Sequence, residues 1–228
     1  MDRLVLFDID CTLIDAHGAG GRAIYAALER VYGVSGDLDG YTFHGRTDPA
    51  IIRDLATRWG AAADEVDARL EECLEVYVGL LADEVGAGRT DTLPGVAELV
   101  AALGAEPGVV LGLLTGNIAA GAAIKLAPTG LGQHFTVGAY GSDSGLRPEL
   151  PAVAVRRAED LTGRRFVGKE IVVIGDTPAD VECGAALGVK AIAVATGRHS
   201  VDELAAYGPD HVFEDLSDWR QALAAILG

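Results

Sequence analysis

Residues 4–12 read LVLFDIDCT, an apolar run that stops abruptly at alternating acidic side chains. Such a run, bounded by a polar position, is typical of a strand that is buried on both faces of a parallel sheet. Residues 109–114, 171–174 and 191–194 form further short apolar runs, each followed closely by glycine or polar residues. These runs predict a parallel sheet whose strands end at residues suited to ligand binding.

Amphipathic segments separate the apolar runs. Apolar positions recur every three or four residues in 96–103, 150–161 and 181–187, which predicts helices. Strands that alternate with helices indicate an α/β fold, here a Rossmann-like parallel sheet with helices on both faces. Residues 211–213 supply a last edge strand, and 216–227 a closing helix.

The segment 16–92 has a different pattern, because it contains no strand-like run bounded by turns. Helical periodicity in 23–31, 49–59 and 63–82 predicts an all-helical cap domain inserted after the first strand. The predicted domains are an α/β core, 1–15 with 93–228, and a helical cap, 16–92.

Two local features of the insertion also carry predictions. Asp48 followed by Pro49 is typical of a helix N-cap and first turn. The stretch GAGG at 18–21 lacks the Gly-Lys-Ser/Thr ending of a phosphate-cradling loop. We therefore interpret it as a flexible hinge into the cap.

The composition excludes several classes of partner. With 34 acidic and 18 basic side chains, the net charge is −16, which disfavours binding to nucleic acid and to anionic membranes. Cys11, Cys73 and Cys183 form no Cys-x-x-Cys pair or Cys/His cluster typical of a zinc site, which favours reduced thiols. Without a signal peptide or a spanning run, we expect a cytoplasmic protein.

Three carboxylates are predicted to meet at one edge of the sheet. Asp8 and Asp10 follow the first strand, and Asp176 follows the strand at 171–174. Each alone is an ordinary turn or capping residue, but two carboxylates about 4 Å apart repel by roughly 4 kcal/mol at an effective dielectric constant of 20. The cluster therefore requires a cation or a shared proton, and its oxygen ligands favour Mg²⁺ over zinc.

Four motifs occur in an order that resembles the haloacid dehalogenase superfamily. They are DxDxT at 8–12, an apolar strand ending at Thr115, the basic residue Arg147 before Pro148, and GDxxxD at 175–180. The helical insertion is similar to the cap that this superfamily carries between its first two motifs. Within the superfamily, the chain most resembles phosphoglycolate-phosphatase-type hydrolases.

The resemblance implies a role for each motif residue. Asp8 is expected to attack phosphorus and form an aspartyl-phosphate, while Asp10 protonates the leaving alkoxide and then activates water. Mg²⁺ is expected to bind Asp8, the carbonyl oxygen of Asp10 and Asp176, with Asp180 orienting a metal-bound water or the basic partner. The expected catalytic residues also include Thr115 and Arg147. The phosphoryl group is expected to contact Thr115, the amides of Gly116 and Asn117 at a helix N-terminus, and Thr12.

The predicted cap contains a polar turn, FHGRTD at 43–48, that is a candidate for substrate recognition. Arg46 is suited to an anionic group of the substrate and His44 to a hydrogen bond with it. The alternative is a solvated turn in which Thr47 or Asp48 only caps the next helix.

Two residues depart from the superfamily pattern. Arg147 stands where Lys is usual; the alternatives are that Arg147 is a surface charge, or that Lys125 or Lys169 supplies the cation. Cys11 stands where Gly is usual, so its backbone must form the tight loop with a Cβ present. A small buried side chain is one interpretation of Cys11, and an oxidisable thiol beside the nucleophile is the other.

These patterns select among the reactions of the superfamily. The second acid, Asp10, favours phosphoryl transfer over dehalogenation, because a departing halide needs no proton. Residues 16–92 contain no lysine, which argues against phosphonate cleavage through a Schiff base. We expect a Mg²⁺-dependent phosphatase, a phosphoric monoester hydrolase acting on a small phosphorylated metabolite of the phosphoglycolate type, as a monomer or homodimer. The alternatives are a sugar phosphomutase and a catalytically silent phosphate-binding regulator.

Overall fold

The computed structural model describes residues 2–228, apart from the side chains of residues 185–187. Residue 1, with which the predicted core domain begins, lies outside the described residues. The apolar pattern predicted for 185–187 concerns side chains, and it therefore also lies outside what the structure describes.

The strands and helices alternate along most of the chain, as the sequence predicts. The strands are β1 (Arg3–Phe7), β2 (Ile14–Asp15), β3 (Asp91–Thr92), β4 (Val109–Leu114), β5 (Val137–Ala139), β6 (Ile171–Gly175), β7 (Lys190–Val194) and β8 (His211–Phe213). The α-helices are α1 (Ala19–Tyr32), α2 (Asp48–Arg58), α3 (Ala63–Ala68), α4 (Leu70–Ala87), α5 (Val96–Ala105), α6 (Ala119–Leu126), α7 (Leu150–Thr162), α8 (Pro178–Leu187), α9 (Val201–Ala205) and α10 (Trp219–Leu227).

Six strands form a parallel sheet in the order β5-β4-β1-β6-β7-β8. Strand β1 therefore lies between β4 and β6, at the place where the strand order reverses. In open parallel sheets, ligands bind beyond the carboxyl ends of the strands at such a place. This topology confirms the predicted Rossmann-like α/β fold.

The two faces of β1 pack against different helices. Val5 and Phe7 belong to the large core that includes α5 and α10, whereas Leu4 and Leu6 face a second core that includes α7. Because successive side chains of a strand point to opposite faces, an uninterrupted apolar run is what a doubly covered strand requires. Burial on both faces holds the end of β1, and so the position of Asp8, firmly in place.

The segment between β2 and β3 is helical and consists of α1 to α4. Helix α1 packs along α4, and α4 also packs against α6 of the α/β part. The two short strands that flank this segment pair with each other, with Ile14 opposite Thr92 and Asp15 opposite Asp91. The insertion therefore leaves and rejoins the rest of the chain through an antiparallel ribbon.

Several local predictions are wrong. Strand β5 was not predicted, because its three residues form too short an apolar run. Short strand β3 falls within the segment predicted to be all-helical. The single helix predicted over 63–82 is two helices, because the backbone of Arg69 leaves helical geometry at φ −113° and ψ 13°.

Three helix starts also differ from prediction. The stretch at 18–21 is not a flexible hinge, since Gly18 is the N-cap of α1 and the next three residues form its first turn. The N-cap of α2 is Thr47 rather than Asp48, with the Thr47 side chain accepting a hydrogen bond from the Ala50 amide. The closing helix begins at Trp219 rather than Leu216, with Asp218 as its N-cap.

Among the described residues, the helices are all too short or too polar to cross a lipid bilayer.

Candidate active site

Three strand ends bring the predicted motif residues together. Asp8 follows β1, Thr115 follows β4, and Asp176 follows β6. The register aligns these positions, because Phe7 is paired with Leu113 on one side and with Ile174 on the other. All three residues line a cavity of about 560 Å³ between the sheet edge and the helical insertion.

An acidic cluster adjoins this cavity, and two of its members, Asp8 and Asp176, line it. Carboxylate oxygens of Asp8, Asp176 and Asp180 lie within 4.8 Å of one another, and all three residues are buried. Burial raises the pKa of Asp8 to about 7 against the opposing charge of Arg147, with Asp180 and Asp10 adding to the rise. Burial, with Asp8 and Asp180, raises the pKa of Asp176 to about 8. Such a cluster is suited to a cation, which favours the ionised carboxylates.

One carboxylate oxygen of Asp176, Oδ2, is buried without a hydrogen-bond partner among the described residues. The other, Oδ1, faces the Thr12 hydroxyl at 3.5 Å. A buried carboxylate oxygen without a donor is costly, so Oδ2 is a strong candidate for a metal ligand.

Arg147 is the basic residue whose side chain reaches Asp8. It lies in a single 3₁₀ turn, Arg147–Glu149, and its side chain is only 7% exposed. Its Nη2 atom lies 2.5 Å from Asp180 Oδ1 and 3.4 Å from Asp8 Oδ1. The alternative that Arg147 is a surface charge is therefore wrong, and so is the assignment of this place to Lys169, which pairs with Asp210 instead.

Asp180 holds Arg147 in place. Its Oδ2 accepts hydrogen bonds from the amide and the hydroxyl of Thr177, at 3.1 and 2.6 Å, while Oδ1 contacts Arg147. Both oxygens of Asp180 thus have protein partners. The contacts match the predicted role of orienting the basic partner.

Lys125 also lies in the site, although the sequence suggested it only as a substitute for Arg147. Its Nζ donates to both carboxylate oxygens of Asp10, at 2.9 and 2.7 Å, and to Asn117 Oδ1 at 2.6 Å. Asn117 Nδ2 in turn donates to Asp10 Oδ2 at 2.7 Å. A lysine in the last turn of the otherwise small and apolar α6, the helix that follows Thr-Gly-Asn, was the available signal for this role.

Lys125 favours the ionised form of Asp10. Burial acts against ionisation of Asp10, but the charge and hydrogen bonds of Lys125 outweigh it and lower the pKa of Asp10. Gly20 of α1 makes room for the lysine, since a Cβ there would lie 2.9 Å from Nζ. In this conformation Asp10 is therefore an ionised carboxylate fixed by two partners.

The predicted phosphate loop is a turn that precedes a helix. Helix α6 begins at Ala119, so Gly116 and Asn117 are not the helix N-terminus that the sequence predicted. Thr115 Oγ1 accepts from the Asn117 amide at 3.2 Å and from Asn117 Nδ2 at 2.9 Å. Thr115 and Asn117 are therefore already hydrogen-bonded to each other. A phosphoryl oxygen could accept from the Asn117 amide only by replacing Thr115 Oγ1 as its acceptor.

The loop 43–48 covers the cavity, but its two candidate residues differ in placement. His44 Nδ1 lies 4.0 Å from Asp176 Oδ2, so His44 reaches the site. The Arg46 guanidinium pairs with Asp54 at 3.0 Å and lies over the Tyr41 ring, 5.2 Å from its centre. Arg46 thus lines the cavity with its charge already partnered inside the insertion.

Asp48 joins the insertion to the loop after β4. Its Oδ2 accepts a hydrogen bond from the Ile118 amide at 2.9 Å, and its own amide donates to Gly116 O at 2.8 Å. Thr47 Oγ1 donates to Gly145 O at 2.9 Å. Gly116 is needed for this approach, because a Cβ there would lie 1.9 Å from Arg46 O.

Replacing Asp48 with alanine is expected to lower the free energy of unfolding by about 1–3 kcal/mol, because the buried Ile118 amide loses its acceptor. Urea unfolding at pH 5 measures the change.

Asp48→Asn is the matched control, since its amide oxygen still accepts from Ile118. Burial raises the pKa of Asp48 to about 6, so ionising Asp48 weakens the native state as pH rises from about 4 through 6. The Asn variant is therefore expected to gain stability relative to the natural protein between pH 5 and pH 8. Equal losses in the Ala and Asn variants at pH 5 would contradict this role of Asp48.

The loop after β1 departs from ordinary backbone geometry at Cys11. Its φ is +59°, a region that favours glycine, as the sequence predicted for this position. The Cys11 amide donates to Ile14 O, and the Thr196 hydroxyl donates to Cys11 O. The thiol is partly exposed and lines the cavity.

Comparison with known proteins agrees with this geometry. A family model described as haloacid dehalogenase-like hydrolase matches residues 5–185. A phosphoglycolate phosphatase of Synechococcus elongatus is 31% identical, with 99% of each chain covered. A phosphoglycolate phosphatase of Pectobacterium atrosepticum is 27% identical, with 95% of this chain and 90% of the relative covered.

Solved structures share the fold. A hydrolase from Pseudomonas syringae superposes with a TM-score of 0.73 at 20% identity, covering 98% of each chain. A Bacteroides vulgatus protein provisionally assigned as a beta-phosphoglucomutase gives 0.72 at 21% identity, covering 99% of this chain and 89% of that one. The match of the family model over most of the chain, together with the fold, shows that this protein belongs to the haloacid dehalogenase-like hydrolases.

Proposed function

We propose that this phosphoric monoester hydrolase is a Mg²⁺-dependent phosphatase that cleaves a small phosphorylated metabolite through an aspartyl-phosphate on Asp8. The observation that carries the proposal is the placement of Asp8 at the strand-order reversal, with Arg147 Nη2 at 3.4 Å from its Oδ1. A buried carboxylate beside a buried guanidinium is suited to attack on an anionic phosphoryl group, because the guanidinium offsets the repulsion between the two anions.

In the first step, a carboxylate oxygen of Asp8 forms a bond to phosphorus while the bond from phosphorus to the ester oxygen breaks. Asp10, in its protonated form, gives a proton to the departing alkoxide. In the second step, Asp10 takes a proton from water, which attacks the phosphorus of the aspartyl-phosphate and restores Asp8. Arg147 stays beside the phosphoryl oxygens in both steps, held by Asp180.

The residues present fit a Mg²⁺ ion. Asp8 and Asp176 would hold it, with the carbonyl oxygen of Asp10 as a third ligand, and the unpartnered Oδ2 of Asp176 supports this assignment. When bound, the ion supplies positive charge to the transferring phosphoryl group and to the acidic cluster.

Asp10 must gain a proton before it can act as the acid, and Lys125 opposes this in the present conformation. Substrate binding brings further negative charge beside Asp10, which favours its protonated form. Lys125 therefore acts as a positioning residue that holds the Asp10 carboxylate in place while no substrate is bound.

Lys125→Met is expected to lower kcat about 10- to 100-fold, because each lost hydrogen bond between charged groups is worth about 1.5–3 kcal/mol. The loss should fall on kcat more than on KM, since Lys125 contacts Asp10. Steady-state kinetics on an alkyl phosphate measure both constants.

Lys169→Met is the matched control for this prediction, because Lys169 pairs with Asp210 at the surface. We expect its kcat to change by no more than about twofold. Equal kcat values for Lys125→Met and the natural protein would refute the positioning role.

A substrate of the phosphoglycolate type is supported by the relatives at 27% and 31% identity that carry that name. The cavity of about 560 Å³ is lined on the insertion side by apolar residues such as Ile24, Leu38 and Phe43. Its size suits a small metabolite rather than a polymer.

The sugar phosphomutase alternative is favoured by one observation, the shared fold of the Bacteroides vulgatus structure. The core motifs do not separate the two reactions, because both begin with phosphorylation of the same aspartate. A silent phosphate-binding regulator would need no nucleophile, so the buried Asp8 with its cation argues against that alternative.

The proposal is tested by phosphate release with and without Mg²⁺. The panel contains p-nitrophenyl phosphate, phosphoglycolate, hexose phosphates, nucleotides and acyl phosphates, ranked by kcat/KM. We expect Mg²⁺-dependent release, highest for phosphoglycolate or another small phosphorylated acid. Interconversion of hexose phosphates without net release would favour the phosphomutase, and no turnover of any compound would favour the regulator.

A further inference from the structure

A second set of possible ligands lies above the acidic cluster. Cys11 Sγ, a ring nitrogen of His44 and a carboxylate oxygen of Asp176 all lie within 4.8 Å of one another. The three residues come from the loop after β1, from the insertion and from the loop after β6. The sequence separates them widely, so no local Cys/His spacing indicated that they would meet.

We propose that Cys11, His44 and Asp176 form a binding site for a thiophilic divalent cation such as Zn²⁺, which shares Asp176 with the Mg²⁺ site and takes its other ligands from Cys11 and His44. Thiolate, imidazole and carboxylate together are a ligand set that zinc accepts, whereas Mg²⁺ prefers oxygen ligands alone. The site goes beyond the phosphatase reaction, which requires neither the thiol nor a soft metal.

The geometry is close to what zinc needs. Metal–ligand bonds of about 2.0–2.3 Å in a tetrahedron place neighbouring ligand atoms roughly 3.3–3.7 Å apart. His44 Nδ1 lies 4.0 Å from Asp176 Oδ2, so a shift of less than about 1 Å brings this pair into range. Both Cys11 and His44 are partly exposed, which leaves a path for the ion and for the released thiol proton.

The Oδ2 atom of Asp176 has no hydrogen-bond partner among the described residues, which supports its role in binding the cation. This atom is buried and faces His44. Gly197 closes its other side, because a Cβ there would lie 1.9 Å from the same oxygen. The oxygen therefore lies between Gly197 on one side and the imidazole and the thiol on the other.

Occupation of this site has two consequences for the enzyme. Asp176 would be shared with the proposed Mg²⁺ site, so a zinc ion and Mg²⁺ would compete for it. His44 belongs to the loop 43–48, so zinc would also tie the insertion to the β1 and β6 loops over the substrate cavity. Zinc is thus expected to inhibit by blocking both the metal and the substrate.

Cobalt spectroscopy tests the site without relying on catalysis. Co²⁺ is added to the protein in the absence of Mg²⁺, and the expected result is a thiolate-to-cobalt charge-transfer band in the near ultraviolet that saturates at one equivalent. Zn²⁺ should abolish the band by displacing Co²⁺. Absence of the band in the natural protein would overturn the proposal.

The variants separate the ligands from other thiols. Cys11→Gly and Cys11→Ser should lose the band, and the glycine variant also suits the positive φ at this position. His44→Gln should weaken Co²⁺ binding. Cys73→Ser, which changes a buried thiol in α4, should keep the band unchanged. A band that persists in Cys11→Gly, or disappears in Cys73→Ser, would refute the assignment.

Inhibition provides the second measurement. The Zn²⁺ concentration that halves hydrolysis should rise at least about 100-fold in Cys11→Gly, since loss of a direct ligand exceeds the 10- to 100-fold cost of losing an outer partner. An equal Zn²⁺ sensitivity in both proteins would overturn the inhibitory role. If the protein hydrolyses no phosphate ester, the cobalt band still tests the zinc site. Failure of the proposed phosphatase function can therefore be distinguished from failure of the proposed zinc site.

Discussion

Asp8→Asn is expected to reduce turnover of every phosphate ester by on the order of 10⁴-fold or more. The amide keeps the shape of the carboxylate but lacks a nucleophilic oxygen that can form an acyl phosphate. Arg147 and the rest of the cavity remain in place, so substrate binding is expected to survive. Single-turnover assays with purified variant measure the loss, and acid-quenched protein should contain no acid-stable, hydroxylamine-sensitive phosphate.

The fold of this variant should remain intact. Burial raises the pKa of Asp8 to about 7 in the metal-free protein, so ionisation of Asp8 weakens the native state as pH rises through 7. Asn at this position carries no charge near Asp176 and Asp180. Metal-free Asp8→Asn is therefore expected to unfold at a temperature no lower than that of the natural protein at pH 8. Turnover within about tenfold of the natural protein would reject Asp8 as the nucleophile.

Asp10→Asn is expected to lower kcat on alkyl phosphates about 10²–10⁴-fold, the usual contribution of general acid–base catalysis. The effect should depend on the leaving group. A p-nitrophenolate leaves without a proton, so the first step on p-nitrophenyl phosphate should be nearly normal, while the second step still needs a base for water.

A burst experiment distinguishes these steps. Asp10→Asn mixed with p-nitrophenyl phosphate should release close to one nitrophenolate per protein in a fast phase, followed by slow turnover, as the aspartyl-phosphate accumulates. Lys125→Met is the matched control, because it retains Asp10 and removes only its partner. Equal losses on alkyl and aryl esters in the first turnover would exclude Asp10 as the acid.

The main features of the fold could be predicted from local sequence patterns. Four apolar runs and the helices between them indicate a doubly covered parallel sheet, because a strand buried on both faces has no polar side. The strand ends then place Asp8, Thr115 and Asp176 at one edge without knowledge of any side-chain contact. Strand β5 was missed because three residues are too few for a periodic signal.

The partners within the site could not be predicted in the same way. Lys125 reaches Asp10 because the rotation of α6 points its side chain under α1, where Gly20 leaves room. Asp48 appeared to be a helix cap, yet its carboxylate accepts a hydrogen bond from the Ile118 amide, which precedes α6. Such contacts depend on how helices are rotated and docked, and a local pattern does not determine either.

Residue types along the chain predict the strand ends and the motif order, and therefore which side chains lie at one edge of the sheet. Which charges meet there depends on the folded structure, which pairs Arg147 with Asp8 and Asp180, and Lys125 with Asp10. The folded structure also brings Cys11 to His44 and Asp176. The physical reason is that electrostatic and metal-binding interactions act over a few ångströms in space, whatever the separation of the residues along the chain.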